Sequence, residues 1–468
     1  MKPLVLGVFQ FIAPNGTVGA AWQSERDTSV DFTKLSHWTA LAKKLEAAKL
    51  DFLFFGDAYG FPVLGGQLLD ASVREGRGVP QGDPMPLIGA VAAVTRDLGF
   101  IVTASTTVEP PAANARRFTT LDHFTDGRIG WNIVTGSSGE TAAALMGKDP
   151  ILHDVRYDMA DDYLDVSLTL WEGSWDDDAL VLDKRRGVYA EPGRVRIVHH
   201  QGPYFRTDGI MNMPPSPQRT PLLVQAGSSG RGRQFAGRNA ELVFVTGGEP
   251  AAVAANVRGI RESTVAEGRP ADSIKIIMGA LLITAPTSAE AWAKHAEMLA
   301  MSTPEGAAAV YAGTTGIDLL ALDPDKPIAQ PSTEMGQSNL ERFLSKDGKP
   351  APLVREILEN LRRTGYNGST FVGNPVEVAD QLQEFVELTD VDGVLILPHI
   401  TPETYDDFIE LILPVLRERG LARMDYAGPS TASGQRPTLR ERLFPEGTAH
   451  LPETHRGWAF RVGRGEST

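Results

Sequence analysis

The feature of this sequence that most constrains the fold is a regular alternation of short apolar runs with helical patterns. Strands that alternate with helices pair in parallel, because each helix carries the chain back to the edge where the next strand begins. Eight strands in one unit of this size predict an α/β fold, a (β/α)8 TIM barrel with insertions, and a doubly wound open sheet is the alternative. The predicted strands are at 3–12, 51–57, 99–107, 127–136, 221–227, 241–247, 274–284 and 391–398.

Two segments interrupt the alternation and a third follows it. Residues 173–220 are rich in Asp, Gly and Pro, and VRIVHHQGPYFRTDG within them predicts a hairpin. Residues 302–350, with scattered Pro, Gly and Ser, are interpreted as a mobile insertion and a candidate lid. We therefore expect one barrel domain over 1–425 with these two insertions, and a polar, Pro-rich C-terminal extension over 426–468 that packs on the barrel.

Composition and charge exclude several classes of function. The chain of 468 residues contains no cysteine, so disulfides, thiolate nucleophiles, iron–sulfur clusters and zinc–thiolate sites are impossible. A formal net charge of -14 argues against nucleic acid or an anionic membrane as a partner. No apolar run reaches the ~18 residues of a membrane span, and MKPLVLGVFQFIAP is interpreted as a first barrel strand and not a signal peptide. We expect a soluble, cytoplasmic protein.

Polar residues follow or end several predicted strands, which is where a barrel of this class forms its site. His153 precedes a predicted helix, and Tyr157 lies one turn later on the same face. Each of these residues alone could be a cap or an ordinary strand residue, and only as a set at one mouth do they indicate a binding site. The strand-end residues are Asp57, Thr103, Asn132, Ser228, Ser229 and Thr246.

The stretch LLVQAGSSGRG at 222–232 has three possible interpretations: a linker, a plain turn or a phosphate-binding loop. Apolar runs flank it closely, which disfavours the linker. A glycine-rich turn into a helix exposes free N–H groups whose partial positive charge suits a phosphate, and serine hydroxyls add donors. Arg231 and Arg233 in the first turn favour this interpretation mildly, because a cation there is unfavourable unless an anion is near.

No motif in the sequence predicts a metal site or a catalytic residue. The chain lacks GxSxG, a Walker loop and GxGxxG. His199 and His200 are adjacent and would point to opposite faces of a strand, and Asp176 to Asp178 lack the spacing of an EF-hand.

Several long motifs are similar to those of one protein family and occur in the same order. They are DFLFFGD, ARRFTTLDHFTDGRIGWNIVTG, HDVRYDMADDYLDVSLTLWE, HHQGPYFRTDGIMNMPPSPQRTPLLVQAGSSGRGRQFAGRNAELVF and TFVGNPVEVADQL. In these residues the chain resembles the bacterial luciferase-like flavin monooxygenases. More narrowly, it resembles their two-component group, which acts on aminopolycarboxylates, sulfur heterocycles, thioethers and alkanes. The resemblance covers residues 1 to about 445.

The resemblance implies a TIM barrel that binds FMN at the carboxyl ends of its strands. Reduced FMN would come from a separate NAD(P)H-dependent flavin reductase, and O2 would add to give a flavin C4a-hydroperoxide that oxygenates a small organic substrate. The resemblance also implies a homodimer or homotetramer. The matching cofactor-binding positions are Asp57 and Thr103 near the ring or ribityl chain, Tyr157, Ser228 and Ser229 at the phosphate, and also His153 and, less firmly, Asn132.

Two loops depart from the family pattern, and three other functions stay open. NGTVGAAWQ lacks the histidine that often precedes Ala-Trp, and GSSG at 136–139 replaces the usual continuation after WNIVT. Both loops would face the substrate, so the substrate is less defined than the cofactor. The alternatives are a deazaflavin-dependent oxidoreductase, a non-catalytic flavin-binding partner subunit and, more distantly, a metal-dependent barrel hydrolase.

Overall fold

The computed structural model shows a closed barrel of eight parallel strands surrounded by helices. It describes residues 3–14, 19–64, 66–136, 139–227, 229–330, 333, 336–344, 350–365, 368–428 and 434–461. Each barrel strand pairs in parallel with the next, and the last pairs with the first, which closes the sheet and excludes the open doubly wound alternative. The strands are β1 Val5–Gln10, β2 Phe52–Phe55, β3 Gly99–Ser105, β4 Ile129–Val134, β5 Leu222–Gln225, β6 Leu242–Val245, β7 Lys275–Thr284 and β8 Gly393–Ile396.

Helices follow the barrel strands, as the alternation in the sequence predicts. Those in the first half are α1 Leu35–Ala47, α2 Asp70–Glu75, α3 Met85–Ala92, α4 Pro111–Phe124, α5 Gly139–Leu145, α6 His153–Gly173, α7 Gly230–Asn239 and α8 Pro250–Ala266. The later ones are α9 Ser288–Ala300, α10 Pro304–Thr315, α11 Gln337–Glu341, α12 Val354–Thr364, α13 Pro375–Thr389, α14 Glu403–Asp407, a π-helical turn Phe408–Ile412, α15 Leu413–Glu418 and α16 Leu439–Leu443.

Strand alternation divides the core into two layers. In β2, Phe52 and Phe54 belong to the cluster that fills the barrel, while Leu53 and Phe55 pack in the layer between barrel and helices. Successive side chains of a strand point to opposite faces, so nearly continuous apolar runs are needed to fill both layers. The same alternation sends every second residue into the barrel, where polar residues replace apolar ones toward the carboxyl ends.

A ninth parallel strand, Ser369–Gly373, was missed from the sequence. It pairs with the second half of β7, from Ala280 to Thr284, whereas the first half of β7 pairs with β6. Ten-residue β7 is long enough to serve both neighbours. The segment STFVG is short and half-buried at its start, so its apolar signal is weaker than that of the barrel strands.

The segments outside the regular alternation are more structured than composition suggests. Residues 173–220 contain the expected antiparallel hairpin, Val198–Gln201 with Arg206–Gly209, and a second one, Leu180–Asp183 with Val188–Ala190. The sequence interpretation of 302–350 missed α10, which begins at a Thr303 cap and packs in an apolar cluster with α12. An alanine-rich helix has a weak amphipathic pattern, which explains the error.

The C-terminal extension meets the barrel at the amino ends of its strands. Leu439 and Leu443 of α16 lie in the cluster that fills the barrel interior. Arg440 is fully buried and donates to both oxygens of Glu241, with Nε at 2.6 Å from Oε1 and Nη2 at 2.9 Å from Oε2. On the basis of these contacts we propose that residues 426–468 form an extension packed on the barrel, and the division of 1–425 into one barrel with two insertions stays a prediction.

Among the helices in the described part of the chain, none is both long and apolar enough to cross a membrane.

Candidate active site

A cavity of about 460 Å³ opens at the carboxyl ends of the barrel strands. Of the seven cofactor positions predicted from the sequence, six line it, and Ser228 lies outside the described residues, as do 137 and 138. Thr246 after β6 lines it as well. The structure therefore brings together residues that are far apart in sequence, namely Asp57, Thr103, Asn132, His153, Tyr157 and Ser229.

Aromatic rings form the deep, apolar part of the cavity. Phe9 on β1 is 5.7 Å from Phe54 on β2 and lies nearly parallel to Phe244 on β6, with ring centroids 6.5 Å apart. All three line the cavity. They are inward residues of three strands and close the barrel beneath the site. An apolar surface of this kind suits a planar ring system.

Two buried amide oxygens in the cavity have no hydrogen-bond donor among the described residues. Register places Thr103 beside Asn132 on the neighbouring strand, and Asn132 Nδ2 donates to Thr103 Oγ1 at 2.8 Å. Within the described ranges, Asn132 Oδ1 is left without a donor, and so is Gln225 Oε1 at the end of β5. An unsatisfied buried acceptor costs about 1–3 kcal/mol. A ligand with N–H groups would remove this cost, so this part of the cavity favours a heterocycle that donates hydrogen bonds.

The other end of the cavity is built to receive an anion. Ser229 caps α7, and its Oγ accepts from the Gly232 N–H at 3.1 Å. The buried Tyr157 hydroxyl is hydrogen-bonded with the side chains of Ser229 and Thr135, and burial raises the pKa of this phenol. The hydroxyls and the free N–H groups of the helix start converge where the helix dipole is positive, the arrangement that binds phosphate.

Arg156 adds a positive charge to this end and was not singled out from the sequence. It is buried, lines the cavity beside Tyr157, and donates from Nη1 to the Ile151 carbonyl at 3.1 Å. His153 lies one turn away, with its ring 5.4 Å from that of Tyr157 and Nδ1 2.8 Å from Asp154 Oδ1. The motif HDVRYD contained all three residues, but helical periodicity alone does not show that adjacent positions 156 and 157 both reach the cavity.

The interpretation of Arg231 as support for a phosphate was wrong. Its guanidinium pairs with Asp161 at 2.7 Å and Asp158 at 3.0 Å, both on α6, and lies 5.7 Å from the Tyr157 ring centroid. The first-turn cation therefore has acidic partners within the protein and needs no ligand. Arg231 joins α7 to α6 and so holds Ser229, the cap of α7, at a fixed distance from Tyr157 on α6.

Asp57 places an ionisable carboxyl in the lining of the cavity. Burial, together with the nearby carboxylate of Asp83, raises the pKa of Asp57 to about 7. Gln81 Nε2 donates to its Oδ1 at 3.3 Å. A carboxyl group that titrates near neutrality can hold or release a proton under working conditions. Within the described ranges, no three His, Asp or Glu side chains are grouped so that they could hold a metal ion.

The barrel, the aromatic floor and the anion end together define a flavin-binding enzyme of the luciferase-like class. The chain matches the luciferase-like monooxygenase family over residues 13–392 and belongs to that family. It is accordingly an FMN-dependent monooxygenase, of the kind that works in two-component systems.

Three similar proteins cover nearly the whole chain. It is 37% identical to the dimethyl-sulfide monooxygenase of Hyphomicrobium sulfonivorans, over 98% of this chain and 94% of that one. It is also 37% identical to the long-chain alkane monooxygenase of Geobacillus thermodenitrificans strain NG80-2, over 98% of each. A solved riboflavin lyase with modified FMN and riboflavin superposes with a TM-score of 0.92 at 42% identity, covering 98% of this chain and 100% of that chain.

The residues of the cavity match the chemistry of FMN at both ends. A phosphate needs N–H and O–H donors and positive charge, and the helix start, Tyr157, Ser229 and Arg156 offer these. A flavin ring has an N–H donor, and Asn132 Oδ1 and Gln225 Oε1 are buried acceptors that receive no hydrogen bond from the described part of the chain. Neither end depends on Ser228.

Proposed function

We propose that this protein is the oxygenase component that takes reduced FMN from a separate NAD(P)H:flavin reductase and uses O2 to oxygenate a small organic substrate. The observation that carries the proposal is one cavity with an anion end at α7, unsatisfied acceptors at Asn132 and Gln225, and an aromatic floor. The cytoplasmic location and a homodimer or homotetramer remain predictions from the sequence.

We assign each lining residue a part in holding the cofactor. Tyr157 and Ser229 donate to the phosphate, with Arg156 as its countercharge, and Ser228 keeps this role on sequence grounds alone. Thr103 holds the Asn132 amide by accepting a hydrogen bond from its Nδ2, which leaves the amide oxygen for the flavin. His153 packs against Tyr157 and orients it. Asp57, which lines the same cavity, is assigned the exchange of a proton with the bound molecules.

When bound, reduced FMN supplies the electrons that activate O2, and the protein supplies a dry, oriented site. Phe9, Phe54 and Phe244 exclude water from the deep part of the cavity, which favours productive use of O2 over loss of peroxide. The raised pKa of Asp57 keeps a proton available on its carboxyl near neutral pH. Substrate would enter from the open side, where Val310 and Thr314 of α10 also line the cavity.

The test is to mix the protein anaerobically with reduced FMN and then admit O2. We expect saturable binding of reduced FMN, a transient absorbance band of the C4a-hydroperoxide, and oxygenated product once a reductase, NADH and substrate are present. Tight binding of reduced deazaflavin with no reaction with O2 would identify the hydride-transfer alternative. Flavin binding without turnover over a broad substrate panel would indicate a non-catalytic subunit. Absence of flavin binding would refute both the oxygenase function and the non-catalytic flavin-binding alternative.

A further inference from the structure

Arg77 carries a buried charge that the cofactor assignment does not use. It lies just after α2, in the loop that follows β2, is 5% exposed and lines the cavity. Within the described part of the chain its side chain forms no hydrogen bond or salt bridge, and Nη1 is fully buried without a partner. Arginine presents five N–H donors in a rigid fork, so the unmet hydrogen-bonding demand is large.

The protein compensates this charge only weakly. Glu75 is the one group that opposes the effect of burial on the pKa of Arg77, which is lowered. Among the described residues, the Glu75 carboxylate forms no salt bridge with the guanidinium: its Oε1 accepts a hydrogen bond from the Thr303 hydroxyl, and its Oε2 is buried without a hydrogen-bond partner. A buried cation without a paired anion is strongly unfavourable, which is why such groups are normally paired or ligand-bound. An anion that enters the cavity and pairs with Arg77 would therefore be stabilised.

The FMN phosphate is not the anion that pairs with Arg77. The anion end of the cavity follows β5, whereas Arg77 follows β2, and β3 and β4 lie between them. Pro62 packs beside this loop: a Cβ at Gly78 would lie 2.8 Å from Pro62, and one at Gly313 of α10 would lie 3.1 Å from Pro62. The segment after β2 thus contributes the guanidinium to the cavity lining together with Pro62 and the polar side chains of Asp57 and Gln81.

We propose that Arg77 is a specificity-determining residue that binds the carboxylate of the substrate, so that the substrate is a small organic acid with one anionic group and an apolar remainder. The inference rests on the proposed oxygenase function and deepens it. A planar guanidinium matches a carboxylate through two parallel hydrogen bonds, which orients the molecule as well as holding it. The apolar remainder would then extend toward the aromatic floor, where oxygenation takes place.

The experiment measures binding by calorimetry without turnover, on FMN-loaded protein and on protein free of flavin. The probes are ω-phenylalkanoates with side chains of two to four carbons, each beside its uncharged primary amide. For at least one chain length, we expect the wild-type protein to bind the carboxylate at least tenfold more tightly than the amide. Arg77→Gln should remove this preference, Arg77→Lys should keep part of it, and FMN affinity should be unchanged in both.

The matched control is Arg74→Gln, which removes the same charge from the exposed side of α2. It should leave the carboxylate preference intact. The proposal is overturned if wild-type protein shows no preference, if Arg77→Gln retains it, or if Arg77→Gln weakens FMN binding, which would make Arg77 a cofactor residue. If Arg77→Gln does not fold, Arg77→Lys carries the comparison. Because no oxygen chemistry is measured, a failure here is distinct from a failure of the oxygenase function.

Discussion

The hydroxyl of Tyr157 lies so close to Gly227 that a methyl group at position 227 would be 2.6 Å from the phenol oxygen. The same methyl group would be 2.2 Å from Gln225 Nε2. Tyr157 comes from α6 and Gly227 from the turn after β5, so this contact sets the width of the anion end. Glycine is required here because of the close approach of another element.

Gly227→Ala should therefore weaken FMN binding at least tenfold, about 1.4 kcal/mol. The Gln225 amide can rotate away, but the Tyr157 ring is buried against Phe235 and cannot move freely. Isothermal titration with FMN measures the effect. Gly230→Ala is the matched control, since a Cβ at that position meets nothing within 4 Å. Equal losses in both variants would contradict the steric explanation.

Tyr157→Phe should weaken FMN binding by roughly 1.5–3 kcal/mol, because the hydrogen bond lost is one to a charged phosphate. Riboflavin, which lacks the phosphate, should bind both proteins equally well. Tyr189→Phe removes the same hydroxyl from an exposed position and should change neither affinity. If riboflavin binding falls as much as FMN binding, Tyr157 contacts the ring or ribityl chain instead.

Asp57→Asn should stabilise the flavin-free protein at pH 8 more than at pH 4. The folded-state pKa of Asp57, about 7, lies above its unfolded value, so the folded state binds the extra proton between these values and loses stability as pH rises through them. The full effect is at most about 4 kcal/mol. Urea denaturation of both proteins across this pH range measures it. A pH-independent difference between them would be inconsistent with the raised pKa.

Asp57→Asn should also change the pH dependence of catalysis. If Asp57 exchanges a proton during turnover, kcat/KM of the wild-type enzyme has an inflection near pH 7 that the variant lacks. An unchanged profile in Asp57→Asn would assign the carboxyl a binding role only.

Arg440→Leu should destabilise the protein by roughly 3–5 kcal/mol, because it leaves the Glu241 carboxylate buried without its partner. Adding Glu241→Gln should restore part of the loss. Arg186→Gln breaks the exposed pair with Glu191 and should cost no more than about 1 kcal/mol. Urea titration gives the free energies of unfolding of the wild-type protein and the three variants, and equal losses in Arg440→Leu and Arg186→Gln would refute the argument.

The eight barrel strands could be predicted because each is buried on both faces and so has a nearly continuous apolar run. The strand Ser369–Gly373 and helix α10 could not, since the first is half-buried at its start and the second is rich in alanine. Helix α10 lies in the segment 302–350 that interrupts the barrel pattern and the strand follows this segment, so tertiary contacts determine the local structure of both.

The candidate site was predictable where polar residues end strands, as at Thr103 and Asn132. The position of Gln225 in the site was not predictable. Leu222 and Val224 fill the barrel interior, and strand alternation would therefore turn the side chain of residue 225 to the opposite face. Arg77 was not predictable either, because a single arginine in a loop is usually solvated, and only the structure shows that it is buried.

Leu439 seals the amino end of the barrel, where a Cβ at Gly99 would lie 2.7 Å from its side chain. The chain thus closes one end of its barrel with its own C-terminal extension and leaves the other end to the substrate. Engineered exchange of the loops that follow the strands would alter which molecules react, while the C-terminal extension keeps the amino end of the barrel closed. Truncation before Leu439 would instead admit water through the amino end of the barrel. Variants with altered substrates are therefore best sought in the loops at the carboxyl ends of the strands, with the C-terminal extension kept.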